Sequence, residues 1–157
     1  MAVRRVPTET DYAYLAGILD GEGTITISRQ TDRRKGRVYH CYSPHITISN
    51  TVRLMLDSIK NRFGGKIVEV NRRVEGHQKP GYILYFRKGE MLALLPKVIP
   101  YLTIKKRKAE LLLEYMLSRP KKTPRGADGR FVRVRLTIRQ RRIIAEIRRN
   151  NRRGTLH

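Results

Sequence analysis

One cysteine, Cys41, occurs in the whole chain, so no internal disulfide can form and zinc-finger thiol pairs are missing. That usage fits a reducing compartment. The four histidines, His40, His45, His77 and His157, stand without the spacing of metal ligands. Tryptophan is absent and phenylalanine occurs three times, which leaves no strongly amphipathic anchor for a bilayer surface, and no apolar run is long enough to span one. No membrane partner is expected. The opening MAVRRVPTET carries charge without a following apolar stretch, so a secretory signal is not expected and an intracellular protein is. Acidic residues are scarce too: 13 against 35 lysines and arginines, a formal net charge of +22. Such a charge repels itself in a compact state unless an anionic partner offsets it, and nucleic acid is the first candidate.

What is present is enough for one compact unit, since 157 residues can bury a real core. Residues 8–20 read as a helix: Thr8 and Asp11 form a capping signal, and Tyr12, Leu15, Ile18 and Leu19 recur at helical spacing. Gly21 and Gly23 stop it. Thr24–Ser28 and His45–Ser49 alternate strictly, as strands with one wet face do, around a basic turn at Asp32–Gly36. Val52–Phe63 predicts a second helix, and Ile67–Arg73 with Tyr82–Arg87 a second strand pair. A short helix over residues 89–95, closed before Pro96, and a longer one over Lys105–Arg119 complete residues 1–120. Residues 121–135 read as a basic linker, and 136–157 as a basic helical extension with an Ile143, Ile144, Ile147 stripe. The fold class expected is α+β, in the order αββαββα, with one antiparallel sheet backed by helices.

Leu15-Ala16-Gly17-Ile18-Leu19-Asp20-Gly21-Glu22-Gly23 leads from helix into strand. Ala13, Ala16, Gly17 and Asp20 share one helical face, where small residues admit a second backbone or simply pack against the chain's own core. Asp20 and Glu22 lie at the helix C-terminus, where the helix dipole disfavours carboxylates. Acids beside exposed carbonyls suit a hard cation such as Mg²⁺, which keeps waters and takes one or two carboxylates plus phosphate.

This stretch closely resembles the LAGLIDADG signature, and the resemblance to single-motif LAGLIDADG homing endonucleases extends over roughly residues 8–118, including Ile99–Leu102 and the basic run Lys105–Lys108. It implies a site-specific endonuclease that cuts a long, pseudo-palindromic DNA duplex by metal-dependent phosphodiester hydrolysis and leaves 3′ overhangs. Glu22 then holds the metal, Mg²⁺ or another divalent cation, with the carbonyl of Gly21 as its neighbouring ligand. Glu stands where the family usually has Asp. Asp20 takes a structural place at the helix end, and Asn50 matches a polar residue that orders active-site water. Lys105 matches a lysine near the scissile phosphate, or is a solvated helix start. One motif supplies one such carboxylate, so two copies related by a two-fold are expected. Their contact is placed on Ala13, Ala16, Gly17 and Asp20.

Outward strand positions are expected to meet the major groove of double-stranded DNA: Thr26, Ser28, Gln30, Arg33, Ser43, His45, Thr47, Ser49, Glu69, Asn71, Arg73, Tyr85 and Arg87. An ordinary wet sheet face would look alike. The C-terminal extension either packs its isoleucines on the body or stays a solvated polyanion-binding arm. RNA stays open as a second partner: an RNA-binding splicing maturase of the same fold, another basic RNA-binding module, or a transcription factor using the same face would carry similar charge. None of these needs Glu22.

Overall fold

A computed structural model describes residues 5–34, 36–71, 80–120, 127, 129 and 134–152. In chain order the elements are α1 (Glu9–Gly21), β1 (Gly23–Arg34), β2 (Arg37–Asn50), α2 (Arg53–Phe63), β3 (Lys66–Asn71), β4 (Pro80–Tyr85), α3 (Lys88–Val98), a 3₁₀ turn (Ile99–Tyr101), α4 (Lys106–Leu117) and α5 (Ile138–Arg152). The chain is therefore α+β, and its four strands form one antiparallel sheet in the order β1-β2-β4-β3.

Alternation in the strands sorts the two faces. Ile25 and Ile27 of β1, Ile46 and Ile48 of β2 and Leu84 of β4 are buried on one side, where α2, α4 and α5 contact the sheet. Thr26 opposite His45, Ser28 opposite Ser43 and Thr47 opposite Tyr85 lie on the other. The result is one helix-covered face and one polar face.

Helix α1 starts on the capping box that its sequence announces: Asp11 N–H donates to the Thr8 hydroxyl, and Thr8 N–H donates to the Asp11 carboxylate at 2.9 Å. It ends against Gly23, where an added Cβ would lie 2.7 Å from the Leu19 Cα. A side chain there would push β1 off the helix. Gly65 has φ +97° and would meet the Tyr85 carbonyl at 2.8 Å, so the α2–β3 turn likewise admits only glycine.

Several element boundaries differ from expectation: β1 runs on to Arg34 and β2 starts at Arg37, well beyond the expected Thr24–Ser28 and His45–Ser49. Helix α3 continues through Pro96 to Val98, although an interior proline costs about 3 kcal/mol. Leu94, Leu95 and Val98 are buried on either side of it, and that burial holds the last turn. Strand β4 is shifted earlier along the chain, running from Pro80 to Tyr85 rather than from Tyr82 to Arg87. Residues 72–79, including Arg73 and His77, lie outside the described residues, as do His157 and most of the expected linker.

Helix α5 is part of the core. Ile143, Ile144 and Ile147 are buried in the same cluster as Ile25, Leu112 and Tyr115. Gln140, also buried, donates to the carbonyl and hydroxyl of Ser118 and so ties α5 to the end of α4. Ion pairs Arg107–Glu146 (3.1 Å) and Arg139–Glu114 border the contact. Of the two readings of this segment, packing on the body is the observed one.

Candidate functional site

The C-terminal end of α1 gathers residues from three parts of the chain. Glu22 closes the helix, its N–H bonded to the Ile18 carbonyl at 2.8 Å, and its side chain is exposed. From the end of β2, the Asn50 amide donates to Glu22 Oε2 at 2.5 Å while the Asn50 Oδ1 accepts from Val52 N–H at 2.7 Å. Asn50 is thus fixed by its own backbone turn and in turn orients the carboxylate. Gly21 beside it faces open space, for a Cβ built there meets nothing within 4 Å.

Asp20, two residues earlier, does different work. Its carboxylate accepts from the N–H groups of Thr103 (2.7 Å), Ile104 (3.2 Å) and Lys105 (2.8 Å). These lie just before the lysine-rich start of α4, where an anion offsets both the helix dipole and the clustered positive charge. Lys105 returns the contact: its ammonium donates to the carbonyls of Leu19 (2.7 Å) and Asp20 (2.9 Å). Helix α1 has no basic residue in its own last turn, so a cation from far along the chain meets its terminal carbonyls. Burial pulls the Lys105 ammonium below the usual lysine range, Asp20 opposing and Lys108 adding to it. A merely solvated Lys105 does not describe this side chain. The adjacent Gly21 and Glu22 are thus joined at one helix end by Asn50 and Lys105, both distant in sequence.

One carboxylate and neighbouring carbonyls do not enclose an ion. Among the described residues no group of three or more His, Cys, Asp or Glu could hold a metal. The donor set nevertheless suits a hard divalent cation whose remaining ligands are waters and substrate oxygens. Asp20 is not available for it, since backbone N–H groups occupy both of its oxygens.

The face assigned to base reading is partly as expected. Thr26, Ser28, Gln30, Ser43, His45, Thr47 and Ser49 fall on the polar face with Tyr85, and His45 bonds the Ser28 hydroxyl at 2.8 Å. Three positions do not share it. Glu69 pairs with Tyr82, in register with Ile67 and Leu84 of the helix side, while the side chain of Asn71 lies outside the described residues. Arg33 pairs with Val38, in register with Ile25 and Ile27. Arg87 lies past β4 and starts α3, its N–H bonded to Glu90 at 2.7 Å. On β3 the polar face instead carries Lys66, Val68 and Val70, since Lys66 pairs with Tyr85. Two apolar valines outside and Ile67 inside invert the pattern that polarity alone suggests.

The small-residue face of α1 also needs correction. Ala16 is fully buried in the chain's own core and Asp20 is committed to the Thr103–Lys105 turn, so neither forms an outer surface. Ala13, Tyr14, Gly17 and Gly21 are exposed and recur at helical spacing. A Cβ on Gly17 would meet nothing within 4 Å. Tyr14 is the residue that a search for small side chains overlooks.

With this geometry in hand, the architecture is that of the LAGLIDADG homing endonucleases. Neither the family models nor the curated proteins contain a match, and the likeness is carried by solved structures. The archaeal intron-encoded homing endonuclease I-Vdi141I, complexed with DNA, superposes with a TM-score of 0.54 at 23% identity, covering 69% of this chain and 68% of that one. I-CvuI, in complex with a target DNA in the presence of Mg, gives 0.51 at 23% identity over 69% and 67%. The group I intron-encoded I-CeuI, complexed with DNA, gives 0.53 at 17% identity over 72% of this chain and 56% of that one. No helix among the described residues is long and apolar enough to cross a membrane.

Proposed function

We propose that this chain is a DNA homing endonuclease that hydrolyses phosphodiesters of a long duplex site with a divalent metal, as a homodimer, leaving 3′ overhangs. The observation that carries this reading is Glu22: an acid on the unfavourable end of a helix, held in orientation by Asn50, beside a polar strand face on a chain of +22. A protein that only bound phosphate would gain nothing from a carboxylate there. The structural neighbours in complex with DNA support the same substrate.

Glu22 would hold the metal, with the Gly21 carbonyl beside it. When bound, the ion supplies Lewis-acid polarisation of the phosphate and a more acidic water. Asn50 keeps the carboxylate aimed and through it would help order water near the phosphate. The Lys105 ammonium, resting on the carbonyls next to Glu22, would offer a cation to developing phosphate charge. Hydrolysis adds water across one P–O bond, and duplex cutting needs this twice. Two chains meeting through the Ala13, Tyr14, Gly17 and Gly21 face would place two Glu22 sites under one duplex.

Replacing Glu22 by Gln keeps its size but removes the charge that binds the metal. Cleavage should fall about a hundredfold or more, as expected for several kcal/mol of lost stabilisation, while gel-shift affinity is retained or rises at low metal. Undiminished cutting by a pure Glu22→Gln preparation would falsify the assignment. Failure of the unaltered protein to cut any member of a randomised duplex library with Mg²⁺ would favour RNA binding.

A further inference from the structure

A cleft of about 1080 Å³ opens on the flank of the sheet, away from Glu22, between β2 residues 40–44, the end of α4 and the approach to α5. It exists because β4 pairs only with β2 residues 47–50, so the earlier part of β2 has no strand on that side. Strand pairing there is already blunted: the Tyr115 hydroxyl donates to the Tyr42 carbonyl at 3.2 Å, and Pro44 has no N–H to offer. Met116, Val134 and Leu136 give the cleft an apolar wall, and its charge is of one sign. Lys88, Arg119, Arg135 and Arg141 converge on the cleft, and no carboxylate lines it among the described residues.

Two cations elsewhere on the same helices are paired. Arg139 meets Glu114 and Arg107 meets Glu146, whereas Arg141, two residues beyond Arg139, enters the cleft. Like charges gathered without a counterion raise the energy of the free protein, and an anion removes that penalty. Ser43 lines the cleft and also stands on the polar face opposite Ser28. The two surfaces are therefore continuous around the edge of β2.

We propose that this cleft holds the phosphodiester backbone of the duplex where it leaves the strand face, adding affinity without reading sequence. The proposal rests on the duplex-cutting reading above and assigns a second contact to the same substrate. Arg135 and Arg141 are both exposed, so the double variant Arg135→Gln/Arg141→Gln should fold. The probe is a duplex recovered by cleavage selection, prepared with extended flanks and again trimmed to its base-specific footprint.

On the extended duplex the slope of log affinity against log salt should fall in magnitude by about 2 for each bound chain, hence about 4 for the homodimer, close to one unit for each phosphate that the variant no longer neutralises. On the trimmed duplex it should not change. Hydroxyl-radical protection should vanish from the flanks only, the sequence cut should stay the same, and Arg135→Lys/Arg141→Lys should restore the slope. An unchanged slope on the extended duplex, or an equal fall on both lengths, overturns the proposal. So does weakened binding of a structured RNA with duplex binding intact. If selection recovers no duplex, the cutting reading has failed by itself, and random-sequence duplex then tests the cleft. A slope lower by about 2 for each bound chain keeps it as a backbone site, and an unchanged slope removes it.

Discussion

Asp20 and Glu22 are two acids of one motif with opposite assignments, and their hydrogen bonds explain why. Asp20 spends both oxygens on three backbone N–H groups, while Glu22 has one amide donor and stays exposed. Asp20→Asn keeps an acceptor but loses the charge, so urea unfolding should show a loss of about 1–3 kcal/mol. Cutting by the folded fraction should change far less than in Glu22→Gln. An equal collapse of cleavage with unchanged stability would place Asp20 in the metal site instead. Asp11 offers a pH test. Hydrogen bonds from the Thr8 N–H and hydroxyl, aided by Arg62, hold its carboxyl below the ordinary 3.8. A depressed folded pKa means the contribution is complete above 3.8 and is lost as pH falls through the folded value. The urea midpoint difference between Asp11→Asn and the unaltered protein should hold at neutral pH and shrink on acidification below 3.8.

Helix α1 shows how far local periodicity reaches. Its start, its end and its apolar stripe follow from Thr8, Asp11, Leu15, Leu19 and Gly23, because capping and 3.6-residue spacing are local. Its outer face was only half legible: the open stripe runs through Tyr14 and Gly21, and Ala16 turns inward, since small size does not say which neighbour is close. Gly17→Leu tests the homodimer cleanly. The space above Gly17 is open, and leucine favours a helix over glycine by about 0.8 kcal/mol, so thermal stability of the monomer should hold or rise while sedimentation shows dimer loss. A dimer that survives this change uses another face. The strands repeat the lesson. Alternation predicted β1 and β2, yet β3 turns Glu69 to the helix side and Val68 to the polar face, and only its register with β4 reveals this.

At the scale of the whole molecule, α5 decides whether the basic C-terminal segment is an arm or a wall. Ile147 is fully buried against the core, so Ile147→Ala should cost about 2–5 kcal/mol in chemical unfolding. The exposed Arg149→Ala should stay within about 0.5 kcal/mol. A solvated arm would make the two variants alike. What the sequence by itself determined is what depends on neighbours a few residues apart: the helix and strand order of an α+β unit, the acid-bearing turn at residues 20–23, the wet faces of β1 and β2 and a charge that demands a polyanion. Lys105 reaching α1, Asn50 holding Glu22, the true face of β3 and the cleft beside β2 were decided by tertiary structure alone. They join residues distant along the chain, and such pairings follow from how buried faces and unsatisfied backbone groups find partners in three dimensions.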